Sequence, residues 1–209
     1  GRGPGHARNA TWYDDRSMTA TSLAWDTPAG LLEARAATPE LVSAHAARLA
    51  SWYNEPYNRE MLSNTSELEP QDVVESVAGL AAAGGKPFLL FRDGALGGDG
   101  DFRHVAEREA EFAIMVGPRD AQGQGLGTRL SVLLHAYAFK ILNMDVTYLA
   151  IVPANVAGRR CYEKVGYVED GSCPASRYAE AVDDVTMSLT RARFGELHAQ
   201  ALEEIRIRP

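Results

Sequence analysis

The chain is poor in cysteine, in long apolar runs and in positive charge. Its 209 residues include only Cys161 and Cys173. They form no CxxC pair and have no second pair nearby, so a zinc site or a disulfide framework is not expected. With no secretory signal in the sequence, both read as reduced thiols of a cytoplasmic protein. The sequons Asn9-Ala10-Thr11 and Asn64-Thr65-Ser66 then read as chance matches. No apolar stretch reaches the roughly 18–20 residues that a membrane-spanning helix needs, so no membrane partner is expected. Lys and Arg number 21 against 28 Asp and Glu, a formal charge of −7. That balance argues against nucleic acid as a partner, because backbone binding relies on a positive face. A cationic amine substrate is compatible with it, as is an ordinary solvated acidic surface. At 45% hydrophobic and 23% charged residues, the chain is neither disordered nor collagenous.

Residues 1–28 show no sustained period and read as an N-terminal extension, part of it a possible expression scar, with Met18 as a candidate start. Trp12, Tyr13 and Trp25 leave open whether this arm packs on the body or hangs free. Residues 30–37 read as a strand. Thr38-Pro39-Glu40 then has the N-cap and N1 proline of a helix start. Leu41, His45, Leu49 and Trp52 follow at helical spacing. A second helix is expected from Pro70 to Gly84-Gly85. Residues 87–92 (PFLLFR), Asp93-Gly94 and residues 95–101 read as strand, hairpin turn and strand. Residues 109–116 (EAEFAIMV) form the next strand. A glycine-rich loop leads into an apolar helix over 126–142. Residues 146–152 read as a strand, 155–164 as a helix closed by Gly166, 184–189 as a strand and 194–205 as a charged helix. Helices and strands alternate in the second half, which gives an α/β or α+β class.

The loop Gln122-Gly123-Gln124-Gly125-Leu126-Gly127-Thr128 lies between an apolar strand and an apolar helix. Glycines let the backbone turn tightly there. The first amides of the following helix lack internal partners and sit at its positive end, which suits a phosphate group. The loop lacks the Gly-Lys-Ser/Thr of a Walker loop, and its Gly-x-Gly-x-Gly spacing differs from the dinucleotide fingerprint. Taken alone it reads equally well as a structural turn. About 30 residues on comes NVAGRRCYEKVGY, with Asn155, Gly158, Tyr162, Lys164 and Gly166-Tyr167.

Together the two segments resemble the GNAT superfamily of acyl-CoA-dependent N-acetyltransferases. Gln122, Gly125 and Gly127 match that family's Gln/Arg-x-x-Gly-x-Gly/Ala motif. Asn155 through Tyr167 match its later Asn…Tyr-x-Lys-x-Gly-Tyr motif. The resemblance spans residues 30–189 and is sharpest over 111–167. The overall plan looks most like the RimJ/RimL-like and SpeG-like branch. It implies a central mixed, mostly antiparallel, twisted sheet of about six to seven strands flanked by helices. Residues 29–190 would form the acetyltransferase domain, after the extension and before a C-terminal helix over 191–209.

The resemblance also implies acetyl-CoA as co-substrate, no metal, and direct acetyl transfer to a primary amine on a small molecule or a protein N-terminus. Its diphosphate would lie on Gln122, Gly123, Gln124, Gly125, Gly127 and Thr128. The backbone of Ile114, Met115 and Val116 would pair with the pantetheine arm. Asn155 would bind that arm, cap its helix, or both. Tyr162 would donate a proton or hydrogen bond to the departing thiolate. Glu111 is the first candidate for the base, its pKa raised beside Phe112 and Ile114, with Glu109 in reserve. Asp99, Asp101 and His104 are read as lining the acceptor pocket or as solvated strand-edge groups. Glu55, Glu60, Glu67, Glu69 and Asp72 either draw in a cationic amine or form a solvated face. His135 reads as a packed or partly exposed histidine rather than a catalyst, and no His/Asn set makes a nucleophile of Cys161. Two other readings share the motifs: a catalytically silent acyl-CoA-binding module, and a transferase for another acyl group or for a hydroxyl. A homodimer through the later strands or the arm is compatible with the sequence.

Overall fold

The computed structural model describes residues 21–62, 66–179 and 183–208. Trp12, Tyr13, Met18 and the sequon asparagines Asn9 and Asn64 lie outside the described residues. The elements in chain order are β1 (Ser22–Thr27), β2 (Gly30–Ala36), α1 (Pro39–Tyr53), α2 (Pro56–Met61), α3 (Pro70–Ala82), β3 (Lys86–Arg92), β4 (Ala95–Arg103) and β5 (Glu109–Val116). Then follow α4 (Leu126–Lys140), β6 (Val146–Ile151), α5 (Val156–Val165), β7 (Val168–Glu169), β8 (Val185–Thr190), α6 (Arg191–Leu197), α7 (Ala199–Glu204) and β9 (Arg206–Arg208).

The strands form one mixed, mostly antiparallel sheet in the order β7-β8-β6-β5-β4-β3-β2-β1-β9. Among the described residues β5 and β6 are the one parallel pair. The fold class holds as expected, and the sheet is larger than the six to seven strands anticipated. The extra width comes partly from residues assigned to the extension and the tail. Ser22–Thr27 form β1, which pairs with β2 on one side and with β9 on the other. The charged helix expected over 194–205 is two short helices broken at His198. Trp25 Nε1 donates to Glu204 Oε2 at 2.9 Å, tying α7 to β1.

β3 is apolar at nearly every position because helices cover both its faces. Phe88 and Leu90 join the core against α4, whereas Leu89 and Phe91 join the core against α1 and α3. β4 differs. Its Asp99, Asp101 and Arg103 alternate with Gly98, Gly100 and Phe102, and only the second set is buried. Since successive side chains point to opposite faces, one face of β4 supports α4 and the other stays polar.

His135 of α4 is fully buried. Its Nδ1 lies 2.7 Å from the Ser131 carbonyl oxygen, so Nδ1 carries the proton and Nε2 accepts. Tyr167 Oη donates to Thr147 Oγ1 at 2.8 Å, and Thr147 Oγ1 lies 3.1 Å from Nε2. The ring is thus a structural group, as its packing on α4 implied. Burial pushes its pKa down to about 3. An unfolded histidine takes up a proton below about 6.5, and the folded one does not, so this residue removes stability as pH falls from 6.5 towards 3. The expected loss is about 2 kcal/mol between pH 7 and 5. His135→Gln should flatten that part of the profile relative to wild type. Parallel profiles in denaturant melts at pH 7 and 5 would refute it.

No helix among the described residues is long and apolar enough to cross a membrane.

Candidate active site

The parallel pair β5–β6 is in register only over Glu109–Glu111 opposite Val146–Tyr148. Beyond Glu111 the two strands part, while β5 keeps β4 as its other neighbour up to Val116. In a strand, backbone groups point alternately to either side. Half of those between Phe112 and Val116 therefore face the gap. Ile114, Met115 and Val116 line the cleft that opens there, a space of about 360 Å³.

The loop after β5 is shaped by two left-handed glycines, Gly123 at φ +76° and Gly125 at φ +78°. Gly125 is the N-cap of α4, and Arg129 N is the first amide to bond back, to Gly125 O at 3.2 Å. The amides of Leu126, Gly127 and Thr128 precede it and have no intrahelical acceptor. Gly123, Gly125, Gly127 and Thr128 all line the cleft. The side chains of the two glutamines are engaged elsewhere. Gln122 Nε2 donates to Val116 O at 2.8 Å and to Asn58 Oδ1 at 3.1 Å, and Gln124 Nε2 donates to Asp120 O at 2.5 Å. What the loop presents to a ligand is backbone amide, a set suited to a diphosphate.

Asn155 caps α5: its Oδ1 accepts from Gly158 N at 2.8 Å. Its Nδ2 lies 3.4 Å from Met61 O. Asn155 and Gln122 therefore hold α2 at its last residue, Met61, and at the buried Asn58 in its middle. Sequence reading missed this short helix. Its signal was Pro56 at N1 behind Glu55, whose side chain accepts from Asn58 N. Arg119 lies over the Tyr57 ring at 3.7 Å, a further tie between helix and loop.

Tyr162 projects from α5 and is almost wholly buried. Its ring meets Phe112 and Tyr167 edge-on, with centroids 6.2 and 5.7 Å away. Burial raises its phenol above the usual range. Cys161, beside it, receives a hydrogen bond from Thr128 Oγ1 at 3.5 Å. Burial also raises its thiol, which keeps it protonated and a poor nucleophile. Cys161→Ala should retain turnover within about threefold; a loss above tenfold in a folded variant would make the thiol a participant.

A second cleft, of about 710 Å³, lies on the polar face of β4 and β5. Asp99, Asp101, Glu111 and Asp184 line it with Arg103. Asp101 and Arg103 form a two-pronged pair at 2.6 and 2.7 Å. Glu111 Oε2 sits 2.6 Å from His104 Nδ1, and the His104 ring stacks on Tyr178 at 3.6 Å. Glu109 does not line this cleft. Of the acids of the early helices, Glu55 caps α2 and Asp72 completes a capping box with Glu69. The two clefts share Met61, Leu62, Ile114, Met115, Asn155 and Tyr162. They are therefore neighbours, with Tyr162 among the residues between them. Among the described residues no group of three or more His, Cys, Asp or Glu is placed to hold a metal ion.

Comparison with known proteins follows the same lines. The family described as an acetyltransferase (GNAT) domain matches residues 37–168. A spermidine N(1)-acetyltransferase of Vibrio cholerae serotype O1 is 38% identical over 64 residues, covering 31% of this chain and 36% of that protein. The match thus spans about a third of that relative. Among solved structures, Mycobacterium smegmatis RimJ in complex with CoA-disulfide has a TM-score of 0.69 at 18% identity, over 89% of this chain and 96% of its own. The aminoglycoside acetyltransferase AAC(6')-Ib in complex with coenzyme A gives 0.64 at 22%, over 78% and 96%. Spermidine N-acetyltransferase from Vibrio cholerae, in complex with CoA and spermine, gives 0.64 at 19%, over 78% and 97%. These structures share the fold across branches that differ in acceptor.

Proposed function

Because the chain belongs to the GNAT acetyltransferase family, we propose that it moves the acetyl group of acetyl-CoA directly to a primary amine within a ternary complex. One observation carries this reading. A cleft under the free amides of a helix N-terminus neighbours a second, acid-lined cleft, and Tyr162 lines both.

The amides of the 122–128 loop hold the diphosphate, and the open edge of β5 at Ile114, Met115 and Val116 receives the pantetheine arm. Asn155 acts by fixing the start of α5 and the end of α2. The bound co-substrate supplies an activated acetyl thioester; the protein supplies position, a proton for sulfur and a base for nitrogen. Tyr162 provides the first proton. Its phenol stays protonated through the working pH range because burial raises it. Two carboxylates of the second cleft, Glu111 and Asp99, are candidates for the base, and Glu111 is the one favoured by the family resemblance.

The acceptor is a cationic amine. Asp101 and Arg103 neutralise each other, which leaves Asp99 and Glu111 as acidic groups of the cleft that a positively charged acceptor would suit. A polyamine, an aminosugar or a peptide N-terminus would each satisfy that charge. The test is thiol release from acetyl-CoA with a panel of such amines, with hydroxyl acceptors and longer acyl-CoAs beside them. Acetyl transfer to at least one amine is expected. Coenzyme A binding without transfer to any acceptor would instead make the chain a silent acyl-CoA-binding module.

A further inference from the structure

The face of β4 and β5 that lines the second cleft carries two carboxylates with very different surroundings. Glu111 already has a partner, His104 Nδ1 at 2.6 Å, and Arg103 lies close enough to act on it electrostatically. It is paired with Tyr148 of β6, at the end of the sheet where β5 and β6 still touch. Asp99 lies opposite Met115, four residues farther along β5, or roughly 13 Å at strand spacing. That is the level at which the strands have parted and the two clefts are neighbours.

Asp99 also has unused capacity. Its Oδ2 accepts a 2.6 Å hydrogen bond from Tyr53 Oη of α1. Its Oδ1 is shut off from solvent and has no hydrogen-bond partner among the described residues. A carboxylate without full pairing in such a place is costly, and no ion pair repays it there, because Arg103 is taken by Asp101.

We propose that Asp99, oriented by the Tyr53 hydroxyl, takes the proton from the acceptor amine, and that Glu111 fixes the mouth of the cleft through His104 and Tyr178. This rests on the acetyl-transfer reading above. Asp99 removes one proton from R–NH3+, and the freed lone pair attacks the thioester carbon. The C–N bond forms, the C–S bond breaks, and sulfur takes the proton of Tyr162. The second proton lost from nitrogen restores Tyr162, and the proton on Asp99 leaves through the cleft that the residue lines, once the product has gone. The balance is an amide, a thiol and one released proton.

The environment suits the task. Burial raises the Asp99 carboxyl to about 7, partly offset by the Tyr53 hydrogen bond, close to the working pH of a general base. The charged and titratable groups that line the same cleft are Tyr53 from α1, Asp101 and Arg103 from β4, Glu111 from β5 and Tyr162 from α5. Tyr178 and Asp184 line it from the connection between β7 and β8. The lining that α3 contributes is uncharged: Val73, Ser76 and Val77.

The experiment is a pH profile of kcat/KM for wild type, Asp99→Asn, Tyr53→Phe and Glu111→Gln with an amine acceptor. It is joined to a 13C titration of aspartate carboxyls in the unliganded protein. Wild type should lose activity as pH falls through about 7. Asp99→Asn should lose that limb and at least about 100-fold in kcat/KM, with no loss of thermal stability. Tyr53→Phe removes a contact that lowers the Asp99 pKa, so it should move the limb to higher pH. Glu111→Gln should keep the limb where it is. In the titration one carboxyl should change near pH 7 and be missing from Asp99→Asn. The inference is overturned if Asp99→Asn keeps the limb, if Glu111→Gln abolishes it, or if every aspartate titrates below 5. Failure of all amines to accept acetyl would overturn the transfer reading instead, and the carboxyl titration would still judge Asp99.

Discussion

Replacing Tyr162 with Phe should lower kcat by about 10²–10⁴-fold, the usual share of a general acid, while coenzyme A affinity stays within about threefold. The ring is held by Phe112 and Tyr167, and Phe preserves those contacts. Tyr162 lines both clefts, and its hydroxyl has no hydrogen-bond partner among the described residues, so its removal leaves no buried group unpaired. The fold should therefore be unaffected, with a stability change below about 1 kcal/mol. Burial keeps the phenol protonated, which is the form that donates to a leaving thiolate. Thiol release in a single turnover, with a thermal melt beside it, checks both halves. Turnover within threefold of wild type would remove Tyr162 from the chemistry.

The largest structural effect is expected at Gly98. β4 carries an extra residue opposite β3: Leu90 pairs with Gly98 but Phe91 pairs with Leu96, leaving Gly97 as a bulge. This presses Gly98 against β5. A Cβ there would sit 2.0 Å from Met115 O and 3.2 Å from Val116 Cα. The obstruction is backbone, so no side chain can rotate away. Gly98→Ala must displace the open end of β5 that receives the pantetheine arm in the proposed mechanism. We expect about 3 kcal/mol of destabilisation, a fall in Tm of about 6–12 °C for a chain of this size, and weaker coenzyme A binding. Gly79 is the control. It is exposed on α3 with nothing near its Cβ position, and Gly79→Ala should stabilise by about 0.5–1 kcal/mol. Equal melting temperatures for the two variants would contradict the packing argument.

Much of the site is local in sequence. The strand–loop–helix around Gly123 and Gly125 depends on neighbours a few residues apart. So does the Asn155 cap on Gly158, and Tyr162 follows it on the same helix. β5 was readable as Glu109–Val116 because acidic and apolar residues alternate over Glu109–Phe112 and an apolar run completes the strand. α2 escaped notice because six residues give no period; its place is set by Gln122 and Asn155, 64 and 94 residues away from their partners.

Sequence alone determined the family-like motifs, the loop with its free amides, and the helix that bears Tyr162, because turn chemistry and capping are decided within one or two turns of chain. Tertiary structure decided the rest. It paired β1 with β9 across the whole chain, and it made the two clefts neighbours at Tyr162. It also separated the acids: Glu111 met His104, whereas Asp99 met Tyr53 from 46 residues away and kept one oxygen unpaired. In sequence both acids were candidates for a solvated edge. A carboxylate's proton affinity follows from its desolvation and its neighbours, and those neighbours come from strands and helices that only folding brings together.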